Sequence, residues 1–409
     1  MQKPSKVLYF TKYSRNAGSS RLRSFQYFPF LETAGIKVEV SPLFSEQYLE
    51  QLYAKKSTKQ EAFRGYFKRF LKIFSVGNYN AVVIEKELFP FLPAFFEQLF
   101  NLFGIKYIVD YDDAVFHNYD LHRNPAVRSL LGKKIDAVMK NAAVVIAGNS
   151  YLADRATKAG AKNIEIIPTV IDLARYPLSK ISETFPPFRD GERKVSPPDV
   201  SLDRAEGTDV EIKVSPSDVN RDSHEGINAE RKVSSPSEKF VIGWIGTKST
   251  FEKHLLPQKS WILKAQEIEG VEFHIVGITT PQHLGDHVKY IPWAEESEVS
   301  EIQKFDVGIM PLEDSPWEKG KCSYKIIQYF ACGIPAIVSP IGMNKEVVIP
   351  GKNGFWATTE DEWLSAIKTL RQEKELRNSM GLQGRKAVEN KFAIQVTAKK
   401  WIGMLNELR

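Results

Sequence analysis

The 409-residue chain carries only two cysteines, Cys322 and Cys332. Ten residues apart in one predicted helix, they can neither bridge nor share a metal. A disulfide framework is therefore excluded, and the usage fits a reducing compartment. Long apolar runs are also lacking. Residues 88–103 come nearest to a membrane span, but Pro90, Pro93, Glu97, Gln98 and Asn101 interrupt them. Residues 6–10 read as a strand rather than as a basic-then-apolar leader, so a cytoplasmic protein is expected. Charge of one sign is scarce: 56 Lys and Arg against 50 Asp and Glu give +6. That balance suits an anionic substrate or an acidic membrane face and is too weak to indicate nucleic acid. There is no zinc-ligand spacing and no GxxxxGK[ST] phosphate loop.

What is present is size for two domains and an ordinary apolar content of 43%. The most informative stretch is FDVGIMPLEDSPWEKGKCSYKIIQYFACGIPAIVSPIG, residues 305–342. It reads as a strand (306–311), a polar loop (312–321), a helix (322–332), a tight turn (333–335) and a second strand (336–339). The first strand is short and apolar after Asp306, as in a parallel sheet buried on both faces. Gly333 and Pro335 end the helix. A strand–loop–helix unit aims free backbone N–H groups beyond the carboxyl edge of the sheet, here those of Ser323 and Tyr324, and makes an anion site. Lys319, Lys321 and Lys325 surround that helix start, where acidic residues are the usual choice. The alternative is an ordinary βαβ unit with solvated lysines.

Other segments support a crevice. Residues 7–11 form a strand, followed by a loop with Gly18 and a helix over 21–34. Gly18 lets backbone N–H groups approach phosphate or sugar oxygens, and Arg15, Arg21 and Arg23 can clamp an anionic acceptor or leaving group. The strand at 106–111 ends in Asp110-Tyr111-Asp112-Asp113. Carboxylates at the carboxyl end of a parallel strand face the ligand crevice of an open α/β sheet. Asp112 and Asp113 are candidates to bind sugar hydroxyls or orient an acceptor hydroxyl, with His117 ranked behind them; capping the next helix is the alternative. Residues 59–74 have apolar side chains at helical spacing (Phe63, Tyr66, Phe67, Phe70, Leu71, Phe74), with Lys59, Arg64, Lys68, Arg69 and Lys72 elsewhere on the wheel. Such a helix lies in an anionic membrane surface or packs its aromatics into the core behind a solvated basic face. Residues 194–212 and 213–231 are near copies, rich in Pro, Ser, Asp and Glu. They cannot bury enough apolar surface to offset ordering entropy, so 186–238 is expected to be a disordered, chemically dispensable linker insert.

The 305–342 segment, with its Phe330-Ala331-Cys332-Gly333-Ile334-Pro335 turn, resembles the donor-binding core of the family 4 glycosyltransferases, and 240–246 and 351–355 agree with the same pattern. In that family two glutamates with seven residues between them frame the loop and helix. Here their places fall on Gly320 and Gln328, which makes the resemblance one to a variant branch. It implies an α/β, GT-B fold of two Rossmann-like doubly wound parallel-sheet domains facing each other across a cleft. The acceptor domain would span 1–178 and the nucleotide-sugar domain 239–390, with a final helix at 391–409 crossing back to the first. The resemblance further implies that Lys248, Lys253, Lys321 and Lys325 neutralise a donor diphosphate with Gly18, Ser323 and Tyr324, and that Pro292 and Trp293 seat the base. Gly320 and Gln328 would stand at the sugar and ribose. The implied activity is transfer of a sugar from a nucleotide diphosphate to a surface-polysaccharide or lipid-linked acceptor, with retention and with no cofactor or metal. In this architecture Asp110-Tyr111-Asp112 is not expected to clamp a metal. An epimerase acting on nucleotide sugars, relying on Asp112, Asp113 and His117, is one alternative. A catalytically silent carbohydrate-binding relative is another, motivated by Gly320 and Gln328.

Overall fold

The structure is a computed structural model that describes residues 5–178 and 239–408; the repeat insert at 186–238 lies outside the described residues. The first sheet contains β1 (Ser5–Phe10), β2 (Ile36–Val40), β3 (Ala81–Glu85), β4 (Tyr107–Tyr111), β5 (Val144–Ala147) and β6 (Ile164–Ile166), in the order β2-β1-β3-β4-β5-β6. The second contains β7 (Phe240–Ile245), β8 (Val271–Val276), β9 (Val288–Ile291), β10 (Val307–Met310), β11 (Ala336–Val338) and β12 (Gly354–Trp356), in the order β12-β11-β10-β7-β8-β9. Every pair is parallel. The apolar runs dictate this outcome: β3, β4, β5, β7 and β10 are buried along their whole length, which only helix cover on both faces allows. Strand order reverses beside β1 in one sheet and β7 in the other, and each reversal opens a crevice at the carboxyl ends of the strands.

Five helices shape the crevice and its surroundings. α1 (Gly18–Arg23) starts three residues earlier than the sequence pattern indicates. It passes through a 3-10 turn at Phe25–Tyr27 into a separate short helix, Phe28–Thr33. α2 is Lys59–Ile73 and α3 is Phe95–Leu102. α3 is shorter than its apolar run because Pro90 and Pro93 keep the preceding residues out of the helix. α4 (Tyr324–Ala331) is capped by Ser323, a non-glycine residue at φ 50°, and so starts two residues after Cys322. α5 (Ile394–Glu407) packs on the first sheet. Its Trp401 is buried against Tyr9 and Tyr27, with ring centroids 6.2 and 5.7 Å away, and Tyr27 Oη shares a 2.9 Å hydrogen bond with Thr397. The chain passes between the halves at two adjacent points. Ile171 N–H donates to Phe392 O (3.1 Å) and Ile394 N–H donates to Ile171 O (2.8 Å).

α2 is turned opposite to a core-facing amphipathic helix. Its buried residues are Glu61, Gly65 and Arg69, while Phe63, Phe67 and Phe74 are 73%, 55% and 75% exposed. The anchor is Arg69, whose guanidinium donates to the backbone oxygens of Thr11, Ser41 (2.7 Å) and Leu88 (3.1 Å) at the ends of three strands. Burial pushes this guanidinium down to about 9. Gly65 lies so close to the loop after β2 that a Cβ would stand 2.0 Å from Leu43 O. Tyr66 and Ile73 pack against the core, with Tyr66 Oη donating to Pro90 O (2.8 Å), while Phe63, Phe67 and Phe74 stay in solvent. Ring contacts Phe74–Phe70 (5.3 Å), Phe70–Phe96 (6.0 Å) and Phe96–Phe95 (5.5 Å) continue that apolar surface onto α3.

Candidate active site

The two sheets present their carboxyl edges to each other, and the loops meet in close contact. Asn149 Nδ2 donates to Lys319 O (3.2 Å) and Lys321 O (3.0 Å), and Cys322 Sγ donates to Asp112 O (3.1 Å). Arg21 and Arg175 both reach Glu295 at 3.2 Å. Glycine makes this approach possible at two places. A Cβ on Gly320 would lie 2.5 Å from Ala114 Cβ, and one on Gly148 would lie 2.2 Å from Cys322 Sγ.

Between these contacts lies a cavity of about 200 Å³ lined by Ser19, Leu22, Asp112, Asp113, Thr169, Met310, Lys321, Cys322, Ser323, Tyr324 and Lys325. A second cavity of about 350 Å³ shares Leu22 and Tyr324 with it and adds Arg15, Arg21, Phe25, Arg175 and Tyr176. The α4 side of the first cavity is positive. Ser323 turns its hydroxyl inward to donate to Asn344 Oδ1 (2.7 Å), which holds the left-handed backbone in place. The first intrahelical acceptor is Ser323 O, so the N–H groups of Ser323, Tyr324 and Lys325 precede the helical ladder. Lys325 Nζ lies 5.4 Å from the Trp244 ring centroid. Burial, and then Lys321, push its ammonium down to about 8, with Glu318 opposing. The opposite wall is acidic. Burial works against the charge of Asp112, but Lys86 at 2.8 Å and Arg23 outweigh it and bring the carboxyl down to about 2. Asp113 is more open, at 33% side-chain exposure against 12%, and burial together with Asp112 raises it. A pre-set cation and N–H cluster facing a carboxylate pair across a narrow gap can hold a diphosphate on one side and a polyol on the other.

The structure thus brings together Asp112, Asp113, Lys321, Ser323, Tyr324 and Lys325. Other sequence candidates lie elsewhere. Lys248 is 73% exposed, with Glu252 at 3.7 Å as its carboxylate neighbour. Lys253 is paired with buried Glu318, which His254 also approaches at 3.3 Å. Gln328 is buried, donating to Glu298 Oε1 (2.8 Å) and Tyr176 Oη (3.1 Å), and so does not reach the cavity. Gly320 belongs to the contact with Ala114. Arg23 is buried against Asp110 and donates to Ile167 O (2.9 Å), which makes it a support of the β4 end rather than an acceptor contact. Arg15 and Arg21 line the second cavity, and Gly18 opens α1 at the surface. Pro292 is exposed; Trp293 donates from Nε1 to Glu298 (2.7 Å) beneath the Arg21 guanidinium, which sits 5.7 Å from a Trp293 ring centroid. His117 pairs with Asp120 (2.8 Å) and Tyr151 (2.9 Å), and it is not among the residues lining the cavity. Sequence reasoning missed Lys86, Glu318 and Ser19. For Lys86 the signal was available: Glu85-Lys86-Glu87 is a charged cluster at the end of an apolar strand, the same pattern that marks Asp112.

Comparisons with known proteins agree with this architecture. Residues 240–373 match the family model described as "Glycosyl transferases group 1". No curated protein matches the sequence. A glycosyltransferase from Rickettsia africae superposes with a TM-score of 0.64 at 12% identity, covering 100% of this chain and 99% of that one. Sucrose-phosphate synthase from Thermosynechococcus elongatus gives 0.61 at 14% identity, covering 99% of each chain. Anabaena Alr3699/HepE, solved in complex with UDP, gives 0.61 at 13% identity, covering 98% of this chain and 100% of that one. The fold is GT-B, as the family resemblance implies. Family match and fold together support a glycosyltransferase.

Proposed function

We propose that the chain transfers a sugar from a nucleotide diphosphate to a saccharide acceptor in the cleft between its two sheets. The observation that carries this reading is the cavity in which the unpaired N–H groups at the start of α4, with Lys321 and Lys325, face Asp112 and Asp113. Breaking the anomeric C–O bond leaves positive charge on the sugar ring and negative charge on the departing diphosphate. The lysines and amides meet the second charge without reorganisation, so no metal is required. Asp112 and Asp113 then bind hydroxyls of donor or acceptor, and close contact of the halves keeps out water that would hydrolyse the donor. Retention of anomeric configuration is what the resemblance to the family 4 enzymes implies for this transfer. UDP in the HepE complex makes a uridine nucleotide the first donor to try. Incubation with UDP- and GDP-sugars, with and without saccharide acceptors and with EDTA, is expected to release free nucleoside diphosphate from one donor, to respond to acceptor, and to ignore chelation. Donor isomerisation without release, or binding without turnover, would replace this reading with an epimerase or a silent relative.

We also propose that the enzyme works at an anionic membrane face, on a surface-polysaccharide or lipid-linked acceptor. The outward phenylalanines of α2, with Arg64 and Lys68 beside them, support this. No helix among the described residues is long and apolar enough to cross a membrane. Flotation with phosphatidylglycerol vesicles should carry the protein, and vesicles of neutral lipid should carry less. Replacing Phe63, Phe67 and Phe74 with Ser should cut vesicle binding at least about tenfold, since each buried Phe contributes roughly 1.5–3 kcal/mol. Equal failure to float on both lipids would rule the membrane face out.

A further inference from the structure

Glu85 ends β3, and Lys86 and Glu87 follow it, at the point where the strand order of the first sheet reverses; all three are buried. Their side chains diverge. Glu85 accepts from Lys12 N–H (3.2 Å) and Ser20 Oγ (2.9 Å). Glu87 accepts from Tyr119 Oη (2.7 Å) and pairs with Lys134. Lys86 alone points to the cleft, reaching Asp112 at 2.8 Å, Asp113 at 3.4 Å and Ser19 Oγ at 3.3 Å. To do so its backbone adopts φ 66°, a left-handed conformation that a lysine rarely takes. Its N–H donates to Asp110 O (2.9 Å), which ties the turn to β4. A strained turn that delivers a buried cation to two cavity-lining carboxylates has a cost in folding without an evident return in packing.

We propose that Lys86 is a positioning residue for glycosyl transfer, holding Asp112 in place so that Asp113 faces the cavity as the open carboxylate. This rests on the glycosyltransferase reading. Ser19 completes the hold, donating to Asp112 Oδ2 at 3.0 Å. The charges facing this cluster are Arg23 toward Asp112, Lys321 toward Asp113, and Glu85 and Lys12 toward Lys86, with the Cys322 thiol between the halves. Lys86 carries the strongest of the favourable interactions on both aspartates.

Lys86→Gly is the suitable test, because glycine takes the left-handed backbone without strain and the variant should fold. On the nucleotide sugar that wild type turns over, kcat should fall at least tenfold while donor KM changes less than threefold. Added propylammonium should restore part of kcat, and propanol should not. Independently, 13C titration of the aspartate carboxyls, assigned with Asp112→Asn and Asp113→Asn, should show the Asp112 step moving up by at least one pH unit. Wild-type kcat would overturn the proposal, as would an unmoved titration. So would an equal loss when Lys86→Gly is made in the Asp112→Asn, Asp113→Asn background, since Lys86 would then not act through the aspartates. If wild type releases nucleotide from no donor, the glycosyltransferase reading fails. The titration would still decide whether Lys86 holds the pair.

Discussion

Lys325→Ala is expected to lower turnover at saturating donor by about a hundredfold, the usual scale for losing one pre-set contact to a developing negative charge. The substitution removes a partly buried cation at the start of α4 and leaves the apolar face of that helix, Ile326, Ile327 and Phe330, untouched. The effect should therefore appear in turnover and not in folding. The same ammonium predicts a pH dependence. With its value held at about 8 in the free protein, the cation is present below that pH and lost as pH rises through it. kcat/KM should fall on the alkaline side of pH 8, and the alanine variant should lack that limb. Bound diphosphate favours the cation, so the limb in kcat should lie at higher pH. Unchanged turnover at saturating donor would remove Lys325 from the site.

The second large effect comes from a residue with no side chain. In Gly320→Ala the new methyl would stand 2.5 Å from Ala114 Cβ and 2.7 Å from Ala114 N, a clash with backbone that no side-chain rotation relieves. The halves must separate locally, and a displacement near 1 Å at a reacting pair can cost about a hundredfold. Each half keeps its own core, so thermal stability should change little. Nucleoside diphosphate binding, measured by calorimetry, should persist while turnover collapses. Gly148→Ala, which presses on Cys322 from the other side, should behave alike. Wild-type turnover in both variants would show that the close approach is not needed for chemistry.

Much of the fold was legible because β3, β4, β5, β7 and β10 are short, mainly apolar runs, with charge only near the carboxyl ends of β3 and β4, and a strand buried on both faces has few alternatives. Asp112, Asp113, Lys321 and Lys325 were legible for a related reason: charge at the carboxyl end of such a strand, or at a helix start, has a crevice to face. The rest depends on what sequence periodicity does not encode. The pattern of α2 is equally amphipathic whichever way it turns, and only Arg69 on three carbonyls and Gly65 against Leu43 reveal that the aromatics face outward. The true start of α4 hinges on a left-handed serine, a conformation with no sequence signature when the residue is not glycine. Gln328 and Lys253 have the chemistry expected of ligand contacts, yet each is taken up by a partner distant in sequence, Glu298 and Glu318.

The pairing of Ile171 with Phe392 and Ile394 has a mechanical consequence. Among the described residues, the two places where the chain leaves one half for the other run side by side and are stitched to each other, like a door hung from a single post. Opening the cleft is then a swing about that ribbon rather than a slide, with the smallest travel at the ribbon and the largest at the lips farthest from it. Substrate entry and product exit would share that one rotation, and a crosslink across the lips would stop both.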